Sequence, residues 1–394
     1  MPSKKLWVSA CLASIMLAAC STTPDPEPSV TVTAETVAPT PPETVDEEDV
    51  GRAEQATFEY GMKVAERALP ESGNIVVSPA AMTYQMSMAA SGSACASTDR
   101  LEGVVGVPAG EVNETYRELA SQLASSETDS YTTFLTGLVI ENSTRAGAGS
   151  DTVHTMVADY AAPFLSLPAE EMTVAGNQWI ADATADEQPV LPESIPATTD
   201  VAIMVNLHYS TTWSEPVTVT TVDFEFSDGH TEPVPAIEVT GATVWEADGG
   251  MIIELPTSSP DRTYLYVSDD GDVSDLVAGD WVAQGEGVTT NVVVPTVSTS
   301  STISYADMDD ELNVFESNCE TETLLVSQYA SYDITNQGIS TDQIAQTETP
   351  ELSPTESDDV VPTVVDRPFA LKTADADTGW TILYAIMSDP TYKL

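Results

Sequence analysis

One segment of the sequence requires the rest of the chain to surround it. Residues 80–90 carry no charged side chain and include three methionines, so a helix here has no face suited to water. Ser78 can cap its first turn, and Pro79 fits the first helical position because an N–H there would have no helical partner. The preceding Ile75–Val77 predicts a short buried strand. We therefore expect a helix at the centre of the fold, entered directly from a buried strand.

The remaining pattern places helices early and strands late. Residues 51–68 have a helical apolar rhythm that ends at Pro70, and a second helical segment, 101–107, closes at Pro108. Strand and helix do not alternate strictly, which indicates the α+β class. Segments rich in β-branched and aromatic residues predict strands at 131–141, 201–209, 217–226, 235–246, 250–256, 263–268, 288–298, 324–334 and 380–387.

Charge separates this chain from several function classes. Its 394 residues include 63 Asp and Glu against 12 Lys and Arg, a net charge of −51. Such a surface repels phosphate backbones and anionic lipid headgroups, which argues against nucleic-acid binding and against membrane contact other than through an anchor. Apolar residues make up 42% of the chain, enough for a sizeable core. The charge also suggests a saline habitat, because a Debye length of about 3 Å at 1 M salt weakens self-repulsion.

The N-terminus predicts export and lipidation. Lys4 and Lys5 precede the apolar run 6–19, which is shorter than the roughly 20 residues that span a bilayer and fits a signal peptide over residues 1–19. The run ends in Leu-Ala-Ala-Cys, which resembles the lipobox of bacterial lipoproteins and implies acylation of Cys20. An ordinary cleavage site beside an incidental cysteine is the alternative. We expect a protein that is lipid-anchored at Cys20, in the cell envelope or outside the cell.

A stalk is predicted between this cysteine and the globular part of the chain. Residues 21–50 contain six prolines, eight acidic residues and no basic one. Such a segment cannot bury a core and repels itself, so it favours an extended conformation. We therefore divide the chain into a signal peptide at 1–19, an acylated cysteine with its stalk at 20–50, and a globular domain at 51–394.

Motifs for catalysis or metal binding are absent from the sequence. There is no Gly-x-Ser-x-Gly, His-Glu-x-x-His, Gly-rich phosphate loop or Cys-x-x-Cys. The acidic run 269–275 lacks the spacing of an EF-hand loop and is interpreted as a solvated turn. We predict no enzyme activity, no cofactor and no metal site. Cys95 and Cys319 suggest one disulfide in an exported protein, with two separate buried thiols as the alternative.

Short motifs occur along the chain in an order that resembles the serpin family. The first is Asn-Ile-Val-Val-Ser-Pro at 74–79 with the apolar helix after it, and the last is Thr-Ile-Leu-Tyr-Ala at 381–385. The resemblance covers 51–394 and implies a serpin-like α+β fold, with N-terminal helices on a large central mixed sheet, further β-sheets and an exposed reactive loop. Between the first and last motifs lie Asn177–Ile180, Val205–Tyr209, Trp213, Phe224, Phe226, Leu255–Pro256, Val294–Pro295, Gly338 and Arg367–Phe369.

The resemblance implies inhibition of a protease by a trap. The protease cuts the exposed loop, and the cut loop inserts into the main sheet as a strand and distorts the attached acyl-enzyme. This loop would run from about 338 to 367. The family's usual interval from Gly338 places the scissile bond after Leu352, whereas counting back from Pro368 places it near Ser357. Leu352 predicts a chymotrypsin- or elastase-like serine protease as partner, with cysteine proteases as a further class, and we expect a monomer.

The hinge that would insert first departs from the family pattern. Successive side chains of a strand alternate faces, so Ile339, Thr341 and Gln343 would share one face, and Ser340 and Asp342 the other. If the first set points inward, the Gln343 amide needs a partner or costs about 1–3 kcal/mol. The whole hinge comprises Gly338, Ile339, Ser340, Thr341, Asp342 and Gln343.

The resemblance assigns the opening of the sheet to Ser78, Asn206, Trp213 and Gln328. Two positions differ from the family pattern, since Ala81 replaces a serine and Gln328 replaces a histidine. These differences leave two functions open. The first is a surface-tethered suicide inhibitor of proteases, and the second is a non-inhibitory serpin-fold binding module whose loop is only a protease substrate.

Overall fold

The computed structural model describes residues 45–69, 73–92, 98–108, 110–123, 125–126, 130–142, 157, 160, 162–184, 194–195, 199, 201–271, 276, 282–303, 323–325, 328–341 and 361–391. The first helix, α1, spans Glu47–Ala68 and begins before the predicted start at residue 51. Asp46 caps this helix, because its side chain accepts a hydrogen bond from the backbone N–H of Glu48. Three acidic residues in the first turn suit the positive end of the helix dipole.

The central helix predicted from the sequence is confirmed. Strand β1 (Ile75–Val77) leads directly into helix α2 (Pro79–Gly92), whose side chains are buried as far as the structure describes them. Helix α1 crosses α2 closely at Gly61, where a Cβ would lie 2.4 Å from the Pro79 ring. The two helices can therefore approach only because this residue is a glycine.

Two short helices follow α2. Helix α3 (Thr98–Val105) corresponds to the predicted segment 101–107. Helix α4 (Val112–Leu123) was missed by the sequence analysis, although its buried residues recur at helical spacing. These residues are Val112, Thr115, Tyr116, Leu119 and Leu123.

A single 3₁₀ turn at 169–171 leads into helix α5 (Met172–Thr184), which carries the Asn-Gln-Trp motif. Trp179 of this helix lies against Gly137, where a Cβ would be only 2.7 Å from the indole ring. This contact fixes α5 on the face of a sheet.

Eight of the described strands form one mixed sheet, called sheet A. They are β2 (Ser125–Ser126), β3 (Ser130–Glu141), β4 (Phe164–Leu167), β5 (Val201–Thr212), β11 (Val297–Ile303), β12 (Thr323–Leu325), β13 (Gln328–Ile334) and β14 (Gly338–Ser340). The strand order is β11-β13-β14-β5-β3-β2, while β12 also pairs with β5 and β4 with β3. Strands β3 and β5 form a long antiparallel ladder, and β12 runs parallel to β5.

Nine described strands, including β1, form sheet B. The other eight are β6 (Thr218–Glu225), β7 (Thr231–Ala247), β8 (Gly250–Leu255), β9 (Arg262–Ser268), β10 (Ala283–Pro295), β15 (Thr363–Val364), β16 (Phe369–Ala374) and β17 (Thr381–Met387). The order is β1-β17-β16-β9-β8-β7-β10-β15, with β6 beside β7. Helix α2 contacts β5 and β12 of sheet A and β17 of sheet B, so it lies in the core that both sheets share.

Several observed strands differ from the predicted ones. The segment 288–298 is divided between β10 and β11 at Pro295, which has no N–H for a ladder. The segment 324–334 is likewise two strands, β12 and β13, and β16 was not predicted. Within the described ranges, no helix combines the length and apolarity needed to cross a bilayer.

Candidate functional site

The predicted hinge lies inside sheet A. After β13 the chain reverses in a turn in which the Thr335 N–H donates to the Gly338 carbonyl at 2.9 Å. Strand β14 then runs antiparallel between β13 and β5, so that Ile339 pairs with Ile334 on one side and Thr211 on the other. The start of the predicted loop therefore already forms a strand at this end of the sheet.

The inserted residues are buried, although the whole segment from residue 338 was predicted to be an exposed loop. Ile339 is fully buried in the core, and Ser340 and Thr341 expose 7% and 4% of their surface. The Thr341 N–H donates to the Tyr209 carbonyl at 2.9 Å, and the Tyr209 N–H donates to the Thr341 hydroxyl at 3.1 Å. The Ser331 hydroxyl donates to the Thr341 carbonyl. Pairing to both neighbouring strands explains why these residues leave the surface.

Close approach of the strands makes a glycine necessary at the start of β14. A Cβ at Gly338 would lie 1.8 Å from the carbonyl oxygen of Thr211. Trp213 lies just beyond the end of β5, and its indole N–H donates to the Thr335 carbonyl at 2.9 Å. The tryptophan therefore holds the turn from which the hinge enters. We call this region, residues 209–213 and 331–341, the upper end of sheet A.

The opposite end of the same strands is closed. Strand β12 pairs directly with β5, with Leu325 opposite Ile203. Among the described residues, this ladder stops at Ile203, while β5 continues to pair with β3 on its other side up to Thr211. We call residues 201–203 and 323–325 the lower end of sheet A. A strand that extended β14 downward would have to separate the two strands that pair there.

Three of the predicted sheet-opening residues lie in or directly after strands of sheet A, and the fourth, Ser78, lies directly before α2. The Ser78 hydroxyl accepts from the Ala81 N–H at 3.3 Å and donates to the Ile382 carbonyl of β17 at 2.8 Å, so it joins α2 to sheet B. Asn206 pairs through its backbone with β3, and Gln328 with β11. Their side chains lie outside the described part of the structure. Of the four predicted residues, the structure places Trp213 beside the hinge.

Gln85 is a contact residue that the sequence analysis missed. Its side-chain amide donates to the Ile203 carbonyl of β5 at 3.2 Å, and the residue exposes 6% of its surface. A long amide inside an otherwise apolar helix needs a hydrogen-bond partner, because buried polar groups are nearly always bonded. The sequence therefore held a signal, but it did not indicate which strand supplies the partner.

A buried carboxylate lies beside the upper end. Asp261, which exposes 3% of its surface, accepts from the hydroxyls of Thr132 in β3 at 2.9 Å and Ser259 at 3.2 Å. The Ser259 N–H donates to the Thr211 hydroxyl in β5 at 3.1 Å. The pKa of Asp261 is raised to about 6, mainly by burial; the charge of Asp375 also raises it, and the hydrogen bonds from Thr132 and Ser259 lower it. This network attaches β3 and β5 to the segment before β9.

Several predicted site residues lie outside the described ranges. In the parts of the chain that the structure describes, no group of three or more His, Cys, Asp or Glu side chains is placed to hold a metal ion. The predicted residues outside these ranges are Cys20, Cys95, Cys319, Asp342, Gln343, Leu352 and Ser357.

Comparison with known families identifies this arrangement. A family model described as "Serpin (serine protease inhibitor)" matches residues 53–279, more than half of the chain. The chain belongs to the serpin family. The matched segment ends before β10. The likeness of the hinge and the C-terminal strands to those of serpins is therefore supported by the comparison with solved structures. A comparison with curated proteins found no match.

Solved serpin structures share the fold over most of the chain. The native state of the thermophilic serpin tengpin is 14% identical with a TM-score of 0.68, covering 91% of this chain and 100% of tengpin. Serpin48 of the insect Tenebrio molitor is 15% identical with a TM-score of 0.67, covering 88% and 100%. Human thyroxine-binding globulin in complex with its ligand is 14% identical with a TM-score of 0.67, covering 87% and 100%.

These comparisons confirm the fold and the general class. The α+β architecture predicted from the sequence is that of a serpin. Serpins are in general protease inhibitors rather than enzymes, and family membership supports protease inhibition as the general function here. Identities of 13–16% to the solved structures establish the shared architecture.

Proposed function

We propose that the protein is a suicide inhibitor of serine proteases that traps its target by inserting the cut loop into sheet A. The supporting observation is the difference between the two ends of this sheet. Strand β14 lies between β13 and β5 at the upper end, whereas β12 pairs directly with β5 at the lower end. A cut beyond β14 frees the loop to continue downward as a longer strand. The protease, attached to the new C-terminus as an acyl-enzyme, moves with it.

Local chemistry favours such an extension. A central strand gains backbone hydrogen bonds on both sides, and proline is excluded from it because proline has no N–H. Residues 342–349 contain no proline, and the first one after the hinge is Pro350. The segment that would follow Thr341 into the sheet can therefore complete a ladder. Its least favourable members are those that bring a charged or amide side chain to the sheet, namely Asp342, Gln343, Gln346 and Glu348.

The proposed target is a chymotrypsin- or elastase-like serine protease. Leu352, the first candidate for the scissile position, offers an apolar side chain for the specificity pocket, with Ser357 as the alternative. Glu348, Glu351 and Glu356 flank these positions. Their charge disfavours proteases with an acidic rim and makes association dependent on salt.

The test is incubation of the purified protein with chymotrypsin- and elastase-like proteases over a salt series. We expect a covalent complex that survives denaturant, a cut after Leu352, and cleaved free protein with a raised thermal midpoint. Clean cleavage with neither complex nor raised midpoint would instead support the second function, a non-inhibitory binding module whose loop is only a substrate.

A charge placed in the hinge provides a matched pair of variants. Thr341→Glu puts a carboxylate at a position that exposes 4% of its surface, where an unpaired charge is costly, so complex formation should fall by at least about tenfold while cleavage continues. Gln337→Glu adds the same charge in the exposed turn before β14. It should leave complex formation within about twofold, because surface substitutions rarely change stability by more than about 0.5 kcal/mol.

We also propose that the inhibitor is tethered to the cell envelope through an acylated Cys20. Support comes from the apolar run that ends at this cysteine and from the acidic, proline-rich segment after it. Mass spectrometry of the N-terminal peptide from expressing cells should find acyl chains on Cys20. Cys20→Ser should move the protein from the membrane fraction to the soluble fraction; an unmodified Cys20 in a secreted protein would contradict the tether.

A further inference from the structure

Gln85 joins the buried helix to a strand that has to move when sheet A opens. Its side-chain amide donates to the Ile203 carbonyl at 3.2 Å, and this carbonyl belongs to the part of β5 that pairs with β12. The contact therefore lies at the lower end of sheet A, where the two strands are still adjacent. Movement of β5 away from β12 therefore also moves the acceptor of this hydrogen bond.

Helix α2 is attached to the part of the molecule on the other side of the opening. Its cap, Ser78, donates to the Ile382 carbonyl of β17, and β1, which precedes it, pairs with β17. The N–H of Val76 in β1 donates to the Ser301 hydroxyl of β11 at 2.9 Å, and β11 pairs with β13 along its length. Helix α2, sheet B, β11 and β13 are thus bound to one another.

Strand β5 belongs to a second unit. It pairs with β3 continuously from Val201 to Thr211, so the two strands shift together. A strand inserted between β5 and β12 needs a spacing of about 4.8 Å, which moves β5 and β3 away from β12 by about that distance. N–H···O hydrogen bonds extend only to about 3.2 Å between heavy atoms. A displacement of this size relative to α2 breaks the Gln85–Ile203 bond.

We propose that Gln85 is a positioning residue that holds sheet A closed at its lower end and so sets the rate of loop insertion. The proposal rests on the proposed function, because insertion is the step of trapping that the bond resists. It assigns this role to a contact between α2 and β5 that is made by a residue other than Ser78 and Ala81.

The experiment compares Gln85→Met with the wild-type protein. Methionine keeps the length of the side chain and removes the donor, so insertion after cleavage should be about two- to tenfold faster. Faster insertion should also reduce the number of inhibitor molecules consumed per protease trapped. The thermal midpoint of the native protein should fall, while that of the cleaved protein should stay unchanged because the bond is already broken there.

Thr83→Val is the matched control on the same helix. The Thr83 hydroxyl bonds to Thr57 of α1 at 3.2 Å and to the Pro79 carbonyl at 3.0 Å, and both partners stay with α2 during insertion. This variant should lower the midpoints of native and cleaved protein alike and leave the insertion rate within about twofold. If Gln85→Met does not fold, Gln85→Asn serves in its place, because it withdraws the amide by one methylene.

The outcomes separate the two proposals. Equal losses in both midpoints with an unchanged insertion rate would make Gln85 a packing residue and overturn its assigned role. If cleavage raises the thermal midpoint of the wild-type protein but no protease is trapped, the proposed function is wrong. The insertion rates of the wild type and Gln85→Met then still test the role of Gln85. Absence of any gain in stability on cleavage would overturn both.

Discussion

The two ends of sheet A are in different states. At the upper end β14 lies between β5 and β13, which places those strands roughly 9.6 Å apart, whereas β5 and β12 at the lower end are one spacing of about 4.8 Å apart. The same long strand, β5, takes part in both arrangements. Opening of this sheet therefore does not need to begin from a closed sheet. It needs to spread downward from an end that is already open.

The largest effect should come from a side chain that prevents β14 from pairing at the upper end. Gly338→Val places a branched side chain where a Cβ alone would lie 1.8 Å from the Thr211 carbonyl oxygen. Overpacking against backbone should lower the free energy of unfolding by about 3 kcal/mol and abolish complex formation, because β14 can no longer enter. Chemical denaturation and a gel assay for the complex measure the two effects. Gly103→Ala, at an exposed helix position with open space around it, is the control, and equal behaviour of both variants would contradict the steric argument.

Acid should stabilise the upper end. The pKa of Asp261 is raised to about 6 from an ordinary value near 3.8, so its proton is bound more tightly in the folded than in the unfolded chain. The penalty of the buried charge is present at pH 7 and disappears as the pH falls through 6 towards 4. The free energy of unfolding of the Asp261→Asn variant should therefore be about 2–3 kcal/mol higher than that of the wild type at pH 7, and the two should be equal near pH 4.

Denaturant titrations of both proteins between pH 4 and pH 7 test this prediction. Their difference cancels the contributions of titrating groups that do not interact with residue 261; Asp375 and Tyr209 do interact with the Asp261 charge, and their effect is part of the measured difference. A difference that does not vary with pH would mean that Asp261 has an ordinary pKa.

The smallest effect concerns the turn that feeds β14. Trp213→Phe keeps an aromatic ring and removes the N–H that donates to the Thr335 carbonyl, which should lower the free energy of unfolding by about 1 kcal/mol. In the cleaved protein the inserted strand also holds this turn, so its thermal midpoint should fall less than that of the native protein. Trp245→Phe on β7 of sheet B is the matched control, and it should not change insertion. If both tryptophan variants change the insertion rate equally, Trp213 has no specific role at the hinge.

Local patterns in the sequence predicted the parts of this fold that local chemistry determines. The strand, cap and apolar helix over 75–92 follow from hydrophobicity and helix-start preferences, whereas the hinge at Gly338 was implied by the resemblance to the serpin family. Helix α4 could have been predicted in the same way, since its buried residues repeat at helical spacing.

Contacts between distant residues could not be predicted in this way. The bond from Gln85 to Ile203 joins residues 118 positions apart, and that from Thr132 to Asp261 joins residues 129 apart. Nothing in the neighbourhood of either residue specifies its partner. The burial of Ile339 and Thr341 is of the same kind, because it depends on the spacing of β5 and β13 rather than on the composition of the hinge.

The short strand β14 also bears on the kinetics of any further pairing. Starting a new strand requires a chain segment to be brought between two others, and the entropy of closing that loop is the main obstacle to its nucleation. Here the tight turn after β13 has closed the loop, and Ile334 opposite Ile339 has fixed the register. Each later residue would join a growing end, as in zipper-like propagation. The slow event in such a scheme is the separation of the strands ahead of the growing end.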